Sequence, residues 1–302
     1  MSFYGNNSLL AGTMRRIHPE AQAWYNAVIV SGGAVSEQTL KAVSDFCRSI
    51  DAAGIRDRFY RLNLLCGNSD SLLIAPRVPL YRAPNPTDTP RGFAIDTNQN
   101  FVQGDYAERN SPSGGLKGNA TTKALQLGTN ILSGLNTSNL HMAVYGTDLA
   151  ATNLNVEGYL LGVRDTAAPQ RIPLTRLRGG YNNAASNAFD SNEFTNVAGR
   201  AAAGAASIAT GFLVGSTIAN NDIAIYGNGT LLNRGTAQRT ETAAPVNNIA
   251  VFGEANFNGN VFSTSFSGAR LRAYSVGAGL TDSQVTAYRN AMVAFQTALE
   301  RA

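Results

Sequence analysis

Asn228-Gly229 lies between two short apolar runs, Asp222–Tyr226 and Thr230–Asn233, and constrains the fold more than any other dipeptide here. The two-residue turn that best joins twisted strands needs left-handed backbone at both central positions, which Asn and Gly accept at low cost. The pair therefore predicts a β-hairpin. Strands are also predicted at Asn248–Gly253 and Ser263–Ser275, followed by a helix from Thr281 to Leu299. Thr281 and Gln284 have the spacing of a capping box. Val285, Tyr288, Met292, Phe295 and Leu299 recur on one side of that helix. This stripe packs on the chain's own sandwich, on the N-terminal bundle or on a neighbouring subunit.

From Phe93 onward, turn residues recur every ten to fifteen positions. Between them lie short apolar runs: Ala124–Leu127, Leu140–Tyr145, Gly158–Val163, Ile208–Val214, Ile223–Tyr226, Ile249–Phe252 and Ala269–Tyr274. Many short strands with Gly and Asn turns predict a mainly β chain built as a sandwich or jelly roll. No alternation with long helices supports a doubly wound α/β fold.

The N-terminal part reads differently. Pro19 suits a first helical turn, and Trp24 and Val28 give that helix an apolar side. Gly32-Gly33 stops it, Ser36 caps the next, and Leu40, Val43, Cys47 and Ile50 follow the helical period up to Gly54. A third helix is predicted over Asp57–Leu64. Five prolines between Pro76 and Pro90 mark an extended connector, because proline fixes φ and removes a donor. The resulting division is a helical attachment unit at 1–70, a β-sandwich at 71–279 and a C-terminal amphipathic helix at 280–302.

Charged residues make up only 15% of the chain, below the roughly 25% usual for soluble domains. Amides, hydroxyls and 30 glycines take their place, a surface suited to packed assemblies. The net charge of +4 is mild. Its two basic groupings, Arg56–Arg61 and Arg164, Arg171, Arg176 and Arg178, form no continuous stripe, so nucleic acid is not an expected partner. Structural ion pairs are the simpler use of these arginines. Cys47 falls on a helical stripe and reads as a buried thiol, and neither it nor Cys66 has metal-ligand spacing. The order of charge and apolar residues at the N-terminus is wrong for a secretion signal. The uncharged run Ala201–Ala219 owes its apolarity to Ala and Gly, so it reads as a loop and a strand from Thr210 rather than a membrane span.

Catalysis requires a constellation that the sequence does not display. Glycoside hydrolysis needs two facing carboxylates, whereas Glu157, Glu193, Glu241 and Glu254 are isolated. Asp96, Asp105 and Asp190 read as loop residues without a calcium-loop pattern. His18 reads as a helix-start residue and His141 as a strand residue. No catalytic residue, cofactor or metal is expected. Binding remains. Sugar sites combine an aromatic face with amides, and two loops have that chemistry: Tyr181, Asn182 and Asn183, with Asn187, Phe189 and Asn192 nearby, and Asn256, Phe257 and Asn258. Glu254 stands beside the second loop as a ligand contact or a solvated carboxylate. Turn chemistry accounts for the same residues without a ligand.

Four segments carry a family resemblance. Gly115-Leu116-Lys117-Gly118-Asn119-Ala120-Thr121-Thr122-Lys123 resembles a strand of the concanavalin A-like, or laminin G-like, jelly-roll proteins of phages and prophages. Asn100–Tyr106 is similar to the segment before it. Gly211–Ser216 followed by Ile223–Gly229 resembles a later pair, and Arg272–Gly277 with Leu280–Gln284 resembles the ending. Ala120 departs from the family, which often has Gly there, and Thr217 stands where it often has Arg. The resemblance implies a concanavalin A-like jelly roll with a small N-terminal helical unit and a C-terminal helix. It also implies a non-enzymatic virion part of the tail, fibre or head-appendage type, assembled in the bacterial cytoplasm. Other virion proteins and a homo-oligomer, taken as a trimer, are the expected partners. Trp24, Val285, Tyr288, Met292 and Phe295 are the expected assembly residues. The rivals are an adhesin for host-surface glycan and a polysaccharide-degrading enzyme.

Overall fold

The computed structural model describes residues 16–68, 70–109, 113–150, 158–164, 174–179, 187–192, 200–203, 206–238, 243–255 and 266–301. The elements run α1 (Pro19–Val30), α2 (Glu37–Ala52), β1 (Phe59–Asn63), α3 (Ile74–Arg77), β2 (Thr97–Gln99), β3 (Tyr106–Ala107), β4 (Gly115–Lys117) and β5 (Ala124–Gln126). They continue with β6 (Leu140–Thr147), β7 (Tyr159–Arg164), β8 (Leu174–Arg178), β9 (Ala188–Asn192), β10 (Arg200–Ala202) and β11 (Thr210–Ala219). The chain closes with β12 (Asp222–Gly227), β13 (Thr230–Gly235), β14 (Ala250–Val251), β15 (Arg270–Gly277) and α4 (Asp282–Ala298).

The chain is mainly β, a jelly-roll-type sandwich of two antiparallel sheets. The first sheet has the order β13-β12-β11-β6-β15-β4-β3, with β1 paired to the free half of β15 beyond β4. The second has the order β10-β9-β8-β7-β14-β5-β2. One cross-strand row of the second sheet runs Ala201, Phe189, Leu177, Leu161, Val251, Leu125. It packs on Met142, Val144, Leu213, Ile223 and Ile225 of the first sheet to form the inter-sheet core. The alternate residues of the first sheet, Ala143, Tyr145, Phe212, Val214, Ala224 and Tyr226, face the other way. A strand's side chains alternate between faces, so this sheet requires a cover on its second side too.

The helices supply it. Trp24 and Val28 of α1, Phe46, Cys47 and Ile50 of α2, and Val285, Tyr288, Met292 and Phe295 of α4 form a second core against that face. Phe46, Phe59 and Phe212 each meet the Tyr288 ring edge-on, at 6.5, 4.7 and 4.8 Å between centroids. Burying each such side chain stabilises the fold by about 1.5–3 kcal/mol. The stripe proposed for assembly is thus covered by the chain's own sheet: Trp24 is 4% exposed, and Val285, Tyr288, Met292 and Phe295 are 0–2% exposed.

Local signals hold where the structure describes them. Asn228 and Gly229 both have positive φ, 51° and 82°. Thr281 and Gln284 form the capping box. Ser36 caps α2, and Gly54 follows it at φ 63°. Both cysteines are free and buried, and burial pushes the Cys47 thiol up to about 12. Among the described residues no helix is long and apolar enough to cross a membrane.

Several expectations are corrected. The predicted third helix is a single 3-10 turn, Arg56–Arg58, and then β1. The open edge of β15 takes residues 59–63 as a strand, and tertiary pairing outweighs their helical spacing. The strand expected at Asn248–Gly253 shrinks to Ala250–Val251, and within the described part of the one expected at Ser263–Ser275, residues 266–269 precede the strand, which starts at Arg270. Residues 188–192, expected as loop, form β9.

Candidate binding groove

Arg61 and the end of the proline-rich connector build a surface concavity. The connector passes Pro84 and Pro86, then turns at Asp88, whose Oδ2 accepts from the Asn85 backbone N–H and Nδ2 at 3.2 and 3.0 Å. Residues 88–93 form one wall of a groove of about 640 Å³, and Thr129, Asn130 and Ser133 form the other. The walls cross at two glycines. Gly92 (φ 66°) and Gly128 (φ 92°) sit so close that a Cβ on Gly92 would lie 2.4 Å from the Leu127 carbonyl oxygen. The Phe93 N–H donates to that same oxygen at 2.9 Å. The second wall is tied down by the Gly128 N–H, which donates to Asn248 Oδ1 at 2.7 Å, and the Asn130 N–H, which donates to Val246 O at 2.7 Å.

The first wall is held from inside. Arg61 of β1, 0% exposed, donates to the Arg91 and Phe93 carbonyls at 3.1 and 3.0 Å. Asp96 supplies the counter-charge and also accepts from Asn63 Nδ2 at 2.9 Å and from the Tyr274 hydroxyl at 2.6 Å. Burial alone would lower the Arg61 pKa, but Asp96 and Tyr274 together outweigh it and raise it. Arg91 lies over the Tyr60 ring at 4.5 Å and donates to the Ile131 and Ser133 carbonyls, joining the two walls. Phe93 remains 44% exposed at the rim. The groove therefore presents one aromatic face, the Asp88 carboxylate, and the hydroxyls and amide of Thr89, Thr129, Ser133 and Asn130 on a fixed backbone. That set suits a ligand with both apolar ring faces and hydroxyls.

A second polar cluster lies on the outer side of the second sheet. Its row reads Arg200, Asp190, Arg176, Gly162, Ala250, Gln126. Asp190 Oδ2 accepts from Nε of Arg176 and Arg178 at 2.8 and 2.7 Å, and Arg200 pairs with Oδ1. Burial opposes ionisation of Asp190, yet Arg178, Arg176 and Arg200 together hold its carboxyl below its ordinary range. Glu254 pairs with Arg176 at 3.2 Å and is 1% exposed. It is therefore neither a solvated loop carboxylate nor an exposed ligand contact. Asp96, in a loop as expected, and Asp190, in β9 and not in a loop, are both buried ion-pair anchors.

The other sequence candidates fall as follows. Tyr181, Asn182, Asn183, Asn256, Phe257 and Asn258 lie outside the described residues. Asn187 is buried, donating to Leu149 O at 3.1 Å and accepting from the Ile208 N–H at 2.7 Å. Phe189 belongs to the inter-sheet core. His18 caps α1 and its Nε2 lies 2.8 Å from Asp51 Oδ2. His141 is buried in β6. Among the described residues no group of three or more His, Cys, Asp or Glu side chains is placed to hold a metal ion. The groove was missed because its walls are separated in sequence. The first wall straddles the end of the expected connector at Pro90 and the start of the turn-rich region at Phe93.

No protein-family model matches the chain, and no curated protein matches it. Solved structures do. Domain 4 of AbnA, a GH43 extracellular arabinanase from Geobacillus stearothermophilus, is 16% identical over 65% of this chain and 89% of that one, with a TM-score of 0.38. The Ruminococcus gnavus IT-sialidase CBM40 is 14% identical over 57% of this chain and 96% of that one, with a TM-score of 0.39. The botulinum neurotoxin serotype D binding domain is 12% identical over 78% of this chain and 53% of that one, with a TM-score of 0.43. This chain thus spans about half of the last structure. No ligand or activity passes from these proteins to this one.

Proposed function

We propose that the protein is a non-catalytic glycan-binding sandwich module whose site is the groove between residues 88–93 and Thr129–Ser133. The observation that carries the reading is the half-exposed Phe93 beside a rim of hydroxyls, an amide and a single carboxylate, on walls locked by Arg61 and Arg91. A pyranose ring stacks its C–H face on an aromatic and satisfies its hydroxyls with such groups. A glycan array probed with the purified chain tests it, with Phe93→Ala as the control. Absence of binding across neutral and acidic glycans sinks the proposal.

A second reading keeps the protein as a structural part of a phage particle, joined to other virion proteins. It is supported by the family resemblance and by exposed apolar side chains: Ile29 and Val30 at the end of α1 and Leu72 just before α3 are 44, 88 and 64% exposed. Sedimentation of the chain with purified particles tests that role, and light scattering tests the trimer. Recovery only as free monomer counts against both.

A further inference from the structure

The groove does not end at Asp88. Beyond the connector, between it and α1, lies a second depression of about 240 Å³, and Asp88 and Pro90 line both. Its floor is rigid. Trp24 is buried and donates Nε1–H to the Val78 carbonyl at 3.1 Å. Arg56 stacks on the Tyr81 ring at 3.7 Å while its Nε and Nη2 hold Glu20 Oε1 at 2.9 and 2.7 Å. Its sides are small, apolar and exposed: Ala23 and Ala27 on α1, and Pro86 on the connector.

Size separates the two depressions. Self-standing ligand pockets run from about 300 to 1,000 Å³. The first groove, at about 640 Å³, falls inside that range, and the second, at about 240 Å³, falls below it. A depression too small to hold a ligand alone, and sharing Asp88 and Pro90 with one that is large enough, fits as an extension of the same site. We infer that the ligand is a chain and not a single ring: an oligosaccharide lying across Asp88–Pro90. One unit stacks on Phe93 and another sets its apolar face on Ala23, Ala27 and Pro86. This inference rests on the glycan reading of the groove.

The test is calorimetric titration of the full chain with ladders of maltose-, chitin- and galacturonan-derived sugars, from monosaccharide to hexasaccharide. Affinity is expected to climb with length, gaining at least about tenfold between disaccharide and plateau. Ala27→Trp fills the second depression from an exposed helix position. It is expected to abolish that gain while leaving short sugars bound as before, and Ala23→Tyr serves as an independent blocking variant. Affinity independent of length, or a length gain that both variants preserve, overturns the inference and leaves the glycan reading standing. No binding by any ladder or array glycan overturns the glycan reading, and the inference falls with it.

Discussion

Arg61 and Asp96 meet at 2.5 Å with neither side chain exposed, and the same guanidinium holds the carbonyls of Arg91 and Phe93. A single ion pair thereby links β1, the core-facing Tyr274 hydroxyl and the wall of the groove. A buried pair contributes little relative to an apolar substitute, but breaking it strands a charge.

Asp96→Ala is therefore expected to destabilise the chain by about 3–5 kcal/mol, because Arg61 stays buried without its counter-charge. Urea unfolding followed by tryptophan fluorescence measures it through the single Trp24. A midpoint unchanged from wild type contradicts the anchoring role of the pair.

His141 sets a pH dependence. Its Nδ1–H donates to the Ala278 carbonyl at 2.6 Å, and its Nε2 accepts from the Ser275 hydroxyl at 3.0 Å. Burial, opposed by the Ala278 contact and aided by Arg58, lowers its pKa from 6.5 to about 4. Between those values the unfolded chain binds a proton that the folded chain refuses. Stability is thus whole above about pH 6.5 and falls by roughly 3 kcal/mol as pH drops to about 4. Asp190, held below the ordinary carboxylate range, adds its loss only at lower pH. His141→Asn is expected to be less stable at neutral pH and to lose most of this slope, which denaturant titrations across the window read directly.

The sheets meet closely at Gly215 of β11, where an added Cβ would lie 2.0 Å from the Phe189 ring carbon Cγ. Gly215→Ala is expected to cost about 1–3 kcal/mol by overpacking. Phe189→Leu in the same chain is expected to recover part of that loss. A double-mutant cycle with no coupling energy rules out the contact as the cause.

Much of the architecture was legible because it is locally encoded. Asn228-Gly229, the Thr281 capping box and the Ser36 cap each set backbone within a few residues, and each is found in the structure. The misread elements depend on distant partners. β1 is a strand because β15 offers an edge, and β9 is a strand because it pairs with β8 on one side and β10 on the other. Asp96, Asp190 and Glu254 look like scattered acids until the fold brings Arg61, Arg176 and Arg178 to them. The groove joins residues 88–93 to residues 129–133 through a backbone crossing that no short-range pattern announces.

Ala120 is a strained position that the sequence did flag. It adopts φ 59°, a left-handed conformation, in a turn where Asn119 Oδ1 accepts from the N–H groups of Thr121, Thr122 and Lys123. A Cβ there costs about 1–2 kcal/mol, partly offset by the extra entropy a glycine loses. Ala120→Gly is expected to raise stability by up to about 1 kcal/mol, seen as a higher urea midpoint with the same slope. A lower midpoint means the turn tolerates the alanine without strain.

Phe93 separates binding from folding. The residue is 44% exposed and its backbone N–H, not its side chain, makes the bond to Leu127. Phe93→Ala is accordingly expected to change stability by no more than about 0.5 kcal/mol, the usual range for a surface site. Affinity for an array-identified glycan is expected to fall at least about tenfold, equivalent to about 1.4 kcal/mol. Asn130, at φ 61°, requires a different replacement. Asn130→Gly removes the amide while keeping the left-handed backbone available, so a loss of affinity there reports the side chain and not a distorted wall. Stacking and neutral hydrogen bonds are insensitive to ionic strength, whereas attraction to Asp88 or Arg91 is screened over about 8–10 Å. Titrations at low and high salt should give matching affinities for a neutral sugar. Binding that survives Phe93→Ala and Asn130→Gly but disappears in salt places the ligand on the charges instead of the ring.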